Sequence, residues 1–337
     1  MAVTVKEIAA LAGVSRGTVD RALKGRSGVS PETKKRILEI AEKYNYKPNI
    51  IGKALVYSGK SITVPVLLNS IGNPFFDDVK LGIFAAEKEF ASYGFNIEIS
   101  EFKGYDADEL LKLLDSLPPD THRLVLTPIN DERVCRKINS MTASGKTVVM
   151  LSGELENVNG AHYVGCDYLK SGKIAGRLIG MLSQGNANLF IVTGSTKHKG
   201  HTQRVEGIKQ IISSDYPHIR LLSTAENLDD DAVAYKTMKK ALTDNPEIDF
   251  IYITAGGAGG TLRAVNEISP GIRVCAFDDT PVTREALKNG SVLATICQQP
   301  FEQGYHAVKL IFEKMIMKKT VEEKIYSELS IKVDQSI

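Results

Sequence analysis

The sequence predicts a small all-α domain followed by an α/β body made of two subdomains. Three observations lead to this prediction. The first sixty residues contain short, capped and strongly basic helical segments. From Ile62 onward, short β-rich apolar runs alternate with amphipathic helical stretches, which predicts parallel sheets covered on both faces. The nine strands expected there exceed one comfortable open sheet, so two sheets with a cleft between them are expected.

The charge is distributed unevenly along the chain. The 337 residues include 42 Lys and Arg against 40 Asp and Glu, for a net charge of +2. Residues 1–60 alone carry +7, with 12 basic and five acidic side chains, and the remainder carries −5. With 43% hydrophobic and 24% charged residues, the composition is globular and excludes a disordered or collagen-like chain. A basic segment joined to an acidic body suggests a polyanionic partner at the amino-terminal end.

The sequence also bears on where the protein works. No basic and apolar leader opens the chain, and the longest apolar run, Ile62 to Leu68, is too short to cross a membrane. The four cysteines are far apart and show no CxxC spacing. We therefore expect a cytoplasmic protein with reduced, mostly buried thiols and no membrane partner.

Two short helices are predicted before residue 24. Thr4 and Glu7 form a capping box at the start of the first helix, and Gly13 ends it. Ser15 can cap the second helix, which continues through Leu23. Two helices joined by so short a turn predict a helix-turn-helix.

A third helix is predicted after Ser30, which can cap it, with Pro31 in the first helical position. The apolar stripes expected to form a common core are Val5, Ile8, Ala9, Leu11 and Ala12 in the first helix, Val19, Ala22 and Leu23 in the second, and Ile37, Leu38, Ile40 and Ala41 in the third. Such a unit is large enough to hold one helix rigidly in a DNA major groove.

The second helix has side chains suited to reading double-stranded DNA. Arg16 and Arg21 would reach base edges, where the guanidinium fork of arginine pairs with guanine. Ser15 and Thr18 would hold phosphates near the amino terminus of the helix. The alternative for both arginines is plain surface charge.

Four segments of this region resemble the headpiece of the lactose-repressor/galactose-repressor (LacI/GalR) family: Val3 to Ala9, Ala12 to Leu23, Val29 to Thr33 and Tyr46 to Asn49. The resemblance implies a DNA-binding set of Thr4, Ser15, Arg16, Gly17, Thr18 and Arg21 in the headpiece, with Asn49, Lys53, Ala54 and Leu55 in the segment that follows it. Asp20 stands where the family usually has Ser or Asn, which affects the expected operator preference and leaves the fold unchanged.

The segment from Pro48 to Leu55 is similar to the family's hinge helix, which orders only on operator DNA. By that resemblance, Leu55 would enter the central minor-groove step, and an apolar wedge of this kind kinks the duplex. Gly52 replaces the usual alanine and costs about 1 kcal/mol of helix stability, so this hinge is expected to fold less readily. The alternative for Leu55 is an ordinary linker leucine.

Polar and aromatic residues follow several predicted strands of the body. They are Asn73, Phe75 and Phe76 after the first strand, and later Asp167, Arg204, Asp278 and Gln298. Ligands of parallel α/β folds bind at the carboxyl ends of strands. Rings that stack on a sugar, together with polar groups that bind its hydroxyls, predict a neutral polyhydroxylated ligand. Each residue also has a structural alternative, such as helix core for the two phenylalanines and a helix cap for Asp278.

Residues 62 to 330 are similar to the periplasmic ribose-binding protein and to the effector domains of the same repressor family, most clearly in the runs Ala276 to Pro281 and Ala294 to Pro300. The resemblance implies a sugar site lined by Asn73, Phe75, Phe76, Arg204, Asp278 and Gln298, to which we add Asp167 and Thr254. Ser152-Gly153 replaces an Asp-Arg pair of that pattern, and Thr254 to Gly257 replaces an Asn-Asp pair. A ligand other than ribose is therefore expected.

Other classes of function have weaker support. His198 and His201 lie in a Lys-rich loop with no nearby metal-ligand spacing, no GxSxG elbow or HExxH motif occurs, and the Gly256 to Gly260 loop does not satisfy a nucleotide-binding pattern. Neither an enzyme nor a metal or other cofactor is expected. A transport-type sugar-binding protein would explain the body but not the basic headpiece.

We therefore interpret the chain as a ligand-controlled transcriptional regulator. By the family resemblance it is expected to be a repressor that acts as a homodimer on operator DNA, with a sugar or polyol effector. The expected divisions are a headpiece at 1–48, a hinge helix and linker at 49–61, and an effector-binding and dimerisation domain of periplasmic-binding-protein-like type I fold at 62–337. Its subdomains are expected at 62–164 plus 298–322 and at 165–297 plus 323–337. The stretch from Ile325 to Ile337 is expected to be one closing strand, and without a leucine heptad it favours a dimer over a coiled-coil tetramer.

Overall fold

The computed structural model describes residue 3 and residues 5–23, 25–44 and 62–336. Thr4 and the predicted hinge and linker, 49–61, lie outside the described residues. The chain forms two compact units, and the boundary between the headpiece and the body falls between Ser61 and Ile62.

The headpiece contains three helices, α1 (Val5–Ala12), α2 (Arg16–Leu23) and α3 (Pro31–Lys43), as predicted for its described part. The Ser15 hydroxyl accepts a hydrogen bond from the backbone N–H of Thr18 at 3.1 Å, and the Ser30 hydroxyl accepts one from Thr33 at 3.2 Å. Both predicted caps are therefore present, and they satisfy backbone donors that a helix start leaves unpaired.

The headpiece core is smaller than the predicted stripes. Ile8, Val19 and Ile37, one from each helix, are fully buried at its centre. Leu11 and Leu38 were expected to be buried, but both are exposed. Each lies one position away from a buried residue, and a 100° step along the helix turns its side chain to the outer edge of the stripe.

The body contains two six-stranded sheets covered by helices. Its strands are β1 (Ile62–Asn69), β2 (Phe95–Phe102), β3 (Arg123–Leu126), β4 (Thr147–Leu151), β5 (His162–Gly165), β6 (Asn186–Thr193), β7 (His218–Glu226), β8 (Phe250–Ile253), β9 (Arg273–Phe277), β10 (Ala294–Cys297), β11 (Lys324–Tyr326) and β12 (Ser330–Lys332). Its helices are α4 (Phe75–Phe90), α5 (Ala107–Ser116), α6 (Glu132–Ala143), α7 (Tyr168–Leu182), α8 (Lys199–Asp215), α9 (Asp231–Asp244), α10 (Ala258–Ile268), α11 (Pro281–Lys288) and α12 (Pro300–Met315).

The strand order is β11-β5-β4-β3-β1-β2 in the first sheet and β12-β10-β9-β8-β6-β7 in the second. The strands pair in parallel throughout, apart from the antiparallel pair of β10 and β12. All nine predicted strands are present, and the two-sheet expectation is confirmed. This order directs the carboxyl ends of the parallel strands of both sheets toward one cleft.

The carboxyl-terminal region differs from the prediction. The segment from residue 323 onward was expected in the second subdomain as one strand, but β11 pairs with β5 in the first sheet and only β12 joins the second. β5 (His162–Gly165) is not one of the nine expected strands. β11 and β12 have three residues each, too few for a periodic apolar pattern to be recognised.

The chain therefore crosses between the two subdomains three times: after β5, after β10 and between β11 and β12. The second crossing leads into α12, which returns to pack on α4 of the first subdomain. Phe90 of α4 stacks on Phe312 of α12 with ring centroids 4.0 Å apart. Segments far apart in sequence thus form one hydrophobic layer.

Two glycines allow α4 and α12 to approach closely. A Cβ atom at Gly82 would lie 1.9 Å from the backbone oxygen of Phe301, and one at Gly304 would lie 2.0 Å from that of Val79. Because the obstructing atoms belong to the backbone, no side-chain rotation can make room. These two positions hold the first subdomain and the second crossing together.

The four cysteines lie in described segments, where all are buried and none forms a disulfide. No helix in the described ranges is long and apolar enough to cross a membrane.

Replacing Gly82 by Ala is expected to destabilise the body by about 1 to 3 kcal/mol, the usual cost of overpacking a close helix contact. Urea denaturation of the full chain, followed by circular dichroism, measures the change. Lys88→Ala on an exposed position of the same helix is the matched control and is expected to stay within about 0.5 kcal/mol. Equal stability of Gly82→Ala and the wild type would contradict the close approach of the two helices.

Candidate functional site

A cavity lies in the cleft between the two sheets. The first subdomain contributes Asn69, Asn73, Phe75, Phe76, Tyr105, Thr127 and Ser152; the second contributes Tyr168, His198, His201, Arg204, Asp229, Ala255, Gly256 and Asp278, and Gln298 lies at the second crossing. Most of these residues follow the carboxyl end of a strand or begin the next helix. This is where parallel α/β folds place their ligands.

Six of the eight residues expected to bind ligand line this cavity: Asn73, Phe75, Phe76, Arg204, Asp278 and Gln298. The other two lie off it. Asp167 caps α7, where its carboxylate accepts the backbone N–H of Lys170 at 2.9 Å. Thr254 is fully buried and donates its hydroxyl to Thr193 at 2.9 Å, so its side chain serves the second sheet.

The two phenylalanines form one wall of the cavity. Their rings meet edge to face, with centroids 5.1 Å apart and planes at 84°. Asn73 holds this corner, because its side-chain oxygen accepts the backbone N–H of Phe75 at 3.1 Å. Phe75 and Phe76 are therefore both the buried start of α4 and an apolar face of the cavity, which combines the two alternatives considered from the sequence.

Asp278 is held rigidly at the opposite side. Its φ of +71° is unusual for a residue with a side chain, and its backbone oxygen accepts hydroxyl hydrogen bonds from Thr283 at 2.8 Å and Thr295 at 2.9 Å. The amide of Gln298 donates to its carboxylate at 2.8 Å. Burial raises the pKa of Asp278 to about 6, although the Arg204 charge and the Gln298 hydrogen bond pull that pKa down. Thr280, rather than Asp278, caps α11.

Arg204 places a buried cation in the wall of the cavity. Its guanidinium carbon lies 3.5 Å from the centroid of the Phe277 ring and 4.7 Å from that of Tyr168. Its Nη1 donates to the backbone oxygen of Thr254 at 2.6 Å. A buried charge needs such partners, because ring faces and a carbonyl replace part of the hydration that burial removes.

The two sides of the cleft are joined at its mouth. Tyr105 donates its hydroxyl to the carboxylate of Asp229, and Lys103 pairs with Asp230 at 3.1 Å. Burial and the adjacent carboxylate of Asp229 raise the pKa of Tyr105 well above its usual range, so the phenol keeps its proton. These contacts connect loops after β2 and β7, and they describe a closed cleft.

Ser152 joins the two sides deeper in the cleft. Its backbone oxygen accepts hydrogen bonds from the Tyr168 hydroxyl at 2.7 Å and from His198 Nε2 at 2.8 Å. Ser152 follows β4 with a φ of +52°, whereas both donors belong to the second subdomain. At the position where the ribose-binding pattern has an Asp-Arg pair, this chain therefore contributes the backbone oxygen of Ser152 as an acceptor.

His198 and His201 lie in the cavity wall, although from the sequence they were considered only as metal ligands. Their ring centroids are 4.4 Å apart, and burial lowers the pKa of each to about 3, with additional repulsion between the two rings for His198 and from Arg204 for both. No cluster of three or more potential metal-ligating residues occurs in the part of the chain that the structure describes. The pair therefore acts as two neutral, hydrogen-bonding rings.

Several cavity residues were not predicted, namely Asn69, Tyr105, Thr127, Ser152, Tyr168, His198, His201, Asp229, Ala255 and Gly256. They follow strands or begin helices, as the predicted set does, but a single Tyr or Ser at such a place carries no distinctive pattern. If every polar residue shortly after a predicted strand had been included as a candidate, Thr127, Ser152 and Asp229 would have been found.

Three buried polar atoms of the cavity residues have no hydrogen-bond partner: Thr127 Oγ1, His198 Nδ1 and Arg204 Nε. An unpaired buried polar atom costs about 1 to 3 kcal/mol, so native structures rarely leave several in one place. A ligand with hydroxyl groups can pair with all three types, because a hydroxyl both donates and accepts.

In the headpiece, the predicted DNA-reading residues are accessible. Ser15, Arg16, Gly17 and Arg21 are exposed and Thr18 is half-buried. Asp20, which stands where the family usually has Ser or Asn, forms an ion pair with Arg26 at 4.0 Å. The remaining residues of the expected set, Thr4, Asn49, Lys53, Ala54 and Leu55, lie outside the described residues.

Comparisons with known proteins divide the chain in the same way. Residues 64–319 match the family model "Periplasmic binding protein domain", and residues 4–49 match "Bacterial regulatory proteins, lacI family". Ribose import binding protein RbsB of Salmonella typhimurium is 24% identical over 81% of this chain and 91% of its own length. The ribose operon repressor of Haemophilus influenzae is 24% identical over 93% of this chain and 92% of its own.

Among solved structures, GanP, a glucose-galactose binding protein from Geobacillus stearothermophilus, superimposes with a TM-score of 0.76 at 23% identity. The match covers 82% of this chain and 99% of GanP. It confirms the fold of the body.

Asp278→Asn is expected to stabilise the unliganded protein above pH 6. Because the pKa of Asp278 is about 6 when folded and ordinarily 3.8, the folded state binds this proton more tightly than the unfolded state. The stability from that proton is fully present below about pH 4 and is lost as the pH rises through about 6. The variant removes this loss and gains at most about 3 kcal/mol at pH 7.5.

Urea denaturation at pH 7.5 and pH 4 measures the gain, which is expected to vanish at the lower pH. Asp120→Asn, at an exposed position, is the control. A gain of equal size at both pH values would contradict a raised pKa at Asp278.

Proposed function

The chain belongs to the lacI family of bacterial regulatory proteins and carries a periplasmic binding protein domain, and from this membership we propose that it represses transcription under the control of a sugar bound in the cleft. The headpiece binds operator DNA, and the body senses the effector. The unpaired polar atoms at Thr127, His198 and Arg204 are the observation that supports the effector site most directly.

A role in transport alone fits the chain less well. A sugar-binding protein needs the body but has no use for the headpiece, in which exposed Arg16 and Arg21 lie on a capped helix. The similarity to the ribose operon repressor includes the headpiece and body together, over 93% of this chain. A repressor accounts for both units, and we place it in the cytoplasm, where operator DNA is found.

The charge and shape of the cavity favour an uncharged polyhydroxylated effector. Phe75 and Phe76 provide an apolar face for a sugar ring. Arg204 is already matched by Thr254, two aromatic rings and the carboxylate of Asp278, so little positive charge is left for an anion. Hydroxyl groups can pair with the remaining donors and acceptors. The similarity to a ribose-binding protein and a ribose operon repressor supports the same ligand class.

We propose that the repressor is a homodimer. Large apolar side chains are exposed on both subdomains: Leu81 and Phe84 on α4, Val282 on α11, and Ile331 and Val333 at and beside β12. Burying them against the same surface of a second copy would produce a two-fold interface. A dimer would also present two headpieces to the two halves of a pseudo-palindromic operator.

Effector and operator binding would be coupled through closure of the cleft. A ligand that binds the closed cleft more tightly than the open one shifts the population toward closure. The crossings between the subdomains then change the arrangement of the parts nearest the headpieces, and the two affinities are linked reciprocally.

Selection from a random duplex library tests the DNA-binding part. The wild-type chain is expected to enrich a two-fold symmetric sequence, since each headpiece reads one half-site. Arg21→Ala is expected to lower discrimination between the selected duplex and random DNA by about 1 to 3 kcal/mol, the value of one good base contact. Arg36→Ala, at an exposed position of α3, is the matched control. Unchanged discrimination by Arg21→Ala would remove that residue from base readout.

A thermal-shift screen of pentoses, hexoses, polyols and their phosphates tests the effector part. A neutral sugar or polyol at 100 times its Kd is expected to stabilise the protein by about 2.7 kcal/mol and to raise its Tm. Asp278→Asn is expected to weaken this response about tenfold in affinity, because an amide is a poorer hydroxyl acceptor than a carboxylate, whereas Asp120→Asn retains it. A response to phosphorylated compounds alone would contradict the proposed ligand class.

A further inference from the structure

His198 occupies a fixed position in the cavity wall. It is the residue immediately before α8, and its ring packs against Tyr168 and Tyr105 with centroids 5.8 Å and 6.4 Å away. Gly153 makes room for it, since a Cβ atom there would lie 3.0 Å from His198 Nε2. The ring orientation is therefore set by its surroundings.

The contact with Ser152 determines which ring nitrogen carries the proton. A backbone carbonyl oxygen can only accept, so the 2.8 Å contact requires a hydrogen on Nε2 of His198. Burial lowers the pKa of this ring to about 3, so at neutral pH it carries that one hydrogen only. Nδ1 then presents a lone pair, and it is buried without a partner.

We propose that His198 determines effector specificity by accepting a hydrogen bond at Nδ1 from a hydroxyl group of an uncharged sugar or polyol. This inference rests on the proposed function and adds a selection rule to it. A hydroxyl donates to the lone pair, whereas a carboxylate or phosphate at this point would oppose one lone pair with another. The site thus selects a ligand with a hydrogen-bond donor at this position.

The same ring connects the ligand to the crossings between the subdomains. Ser152, which accepts from His198, donates its hydroxyl to Gln303 Oε1 at 2.7 Å. The amide nitrogen of Gln303 donates to the backbone oxygen of Gln298 at 2.7 Å. Gln303 is fully buried on α12, and Gln298 lies at the second crossing. A ligand hydroxyl on Nδ1 therefore completes a continuous chain of hydrogen bonds from cavity to crossing.

Closure of the cleft also has a proton linkage at this ring. The titratable groups that face His198 are Tyr105, Tyr168, His201, Arg204 and Asp229. In an open cleft, loss of the Ser152 contact and exposure to water return the pKa toward its ordinary value of 6.5. Since closure then requires a neutral ring, the contribution of His198 makes ligand affinity fall by up to about tenfold per pH unit below 6.5.

Two other cavity groups also affect the pH dependence of ligand affinity below about pH 6.5. His201 contributes with the same sign as His198, because burial lowers its pKa as well. Asp278 has a raised pKa and acts with the opposite sign below about pH 6. The difference in pH dependence between the wild type and a His198 variant therefore isolates His198.

Two substitutions separate the functions of the two ring nitrogens. His198→Gln retains a donor near the Nε2 position for Ser152 but has no acceptor at Nδ1. His198→Asn places an amide oxygen near Nδ1 but cannot reach Ser152. His218→Gln, at an exposed histidine of the same subdomain, is the matched control.

Isothermal titration calorimetry of the full chain at pH 7.5 uses D-ribose, D-arabinose, D-glucose, D-galactose, xylitol and D-galacturonate as probes. The wild type is expected to bind at least one neutral probe, and His198→Gln to bind it about 10- to 100-fold more weakly, the effect of leaving a ligand hydroxyl unpaired. His198→Asn is expected to retain more affinity than His198→Gln and to show a smaller loss of affinity between pH 7.5 and 5.5 than the wild type. Wild-type affinity in His198→Gln would overturn the inference.

Nitrogen-15 NMR of histidine-labelled full chain provides a readout that needs no ligand. A neutral ring protonated at Nε2 is expected for the signal that His198→Gln removes, and a proton on Nδ1 of that ring at pH 7.5 would overturn the inference. If the wild type binds galacturonate alone or none of the probes, the proposed sugar effector fails as well. If the wild type binds a neutral probe and only the predictions for the His198 variants fail, the proposed repressor function is unaffected.

Discussion

Arg204 has to be both buried and charged, and much of the cleft is arranged around that requirement. Its guanidinium packs on Phe277, donates to the backbone of Thr254 and faces Asp278, whose carboxyl group is itself buried. Burial raises the pKa of that carboxyl, and the Arg204 charge opposes the rise. The same desolvation keeps His198 and His201 neutral, since a second cation near Arg204 would have no compensation. The protonation states of the cavity thus follow mainly from burial, and the Arg204 charge adds to that effect at the histidines and opposes it at Asp278.

The two subdomains are tied together by backbone geometry as much as by side chains. Ser152 and Gln299 both adopt positive φ values, next to the cavity and at the second crossing, and the buried amide of Gln303 connects the segments that carry them. Glycine at 82 in α4 and at 304 in α12 permits backbone contact between these two helices. Closure of the cleft can therefore be transmitted to a rigid layer, because helices packed this closely move together.

The headpiece and the body solve separate physical problems. The headpiece buries a core of a few side chains, Ile8, Val19 and Ile37 at its centre, and leaves its basic residues in solvent for a polyanion. The body removes polar groups from water and pairs them within the cleft. DNA affinity carried by exposed charges is strongly salt-dependent, whereas a cavity of hydrogen bonds and rings is much less so. The two binding affinities therefore come from different physical interactions, exposed charge in the headpiece and buried hydrogen bonds and rings in the body.

The sequence by itself determined the helix caps at Ser15 and Ser30, nine of the twelve strands of the body and six residues of the cavity, because periodicity, capping and strand-end position are local properties. Only the tertiary structure decided that β11 joins the first sheet, that Asp167 and Thr254 lie off the cavity, and that Ser152, Tyr168 and His198 meet across it. Strands of three residues are too short to show a periodic apolar pattern. A Tyr or His in the sequence looks the same whether its side chain lies in a core or in a binding site. Whether such a residue lies in the core or in the cavity depends on how the two sheets approach each other. The residues that meet there are far apart along the chain, so no local sequence pattern contains this information.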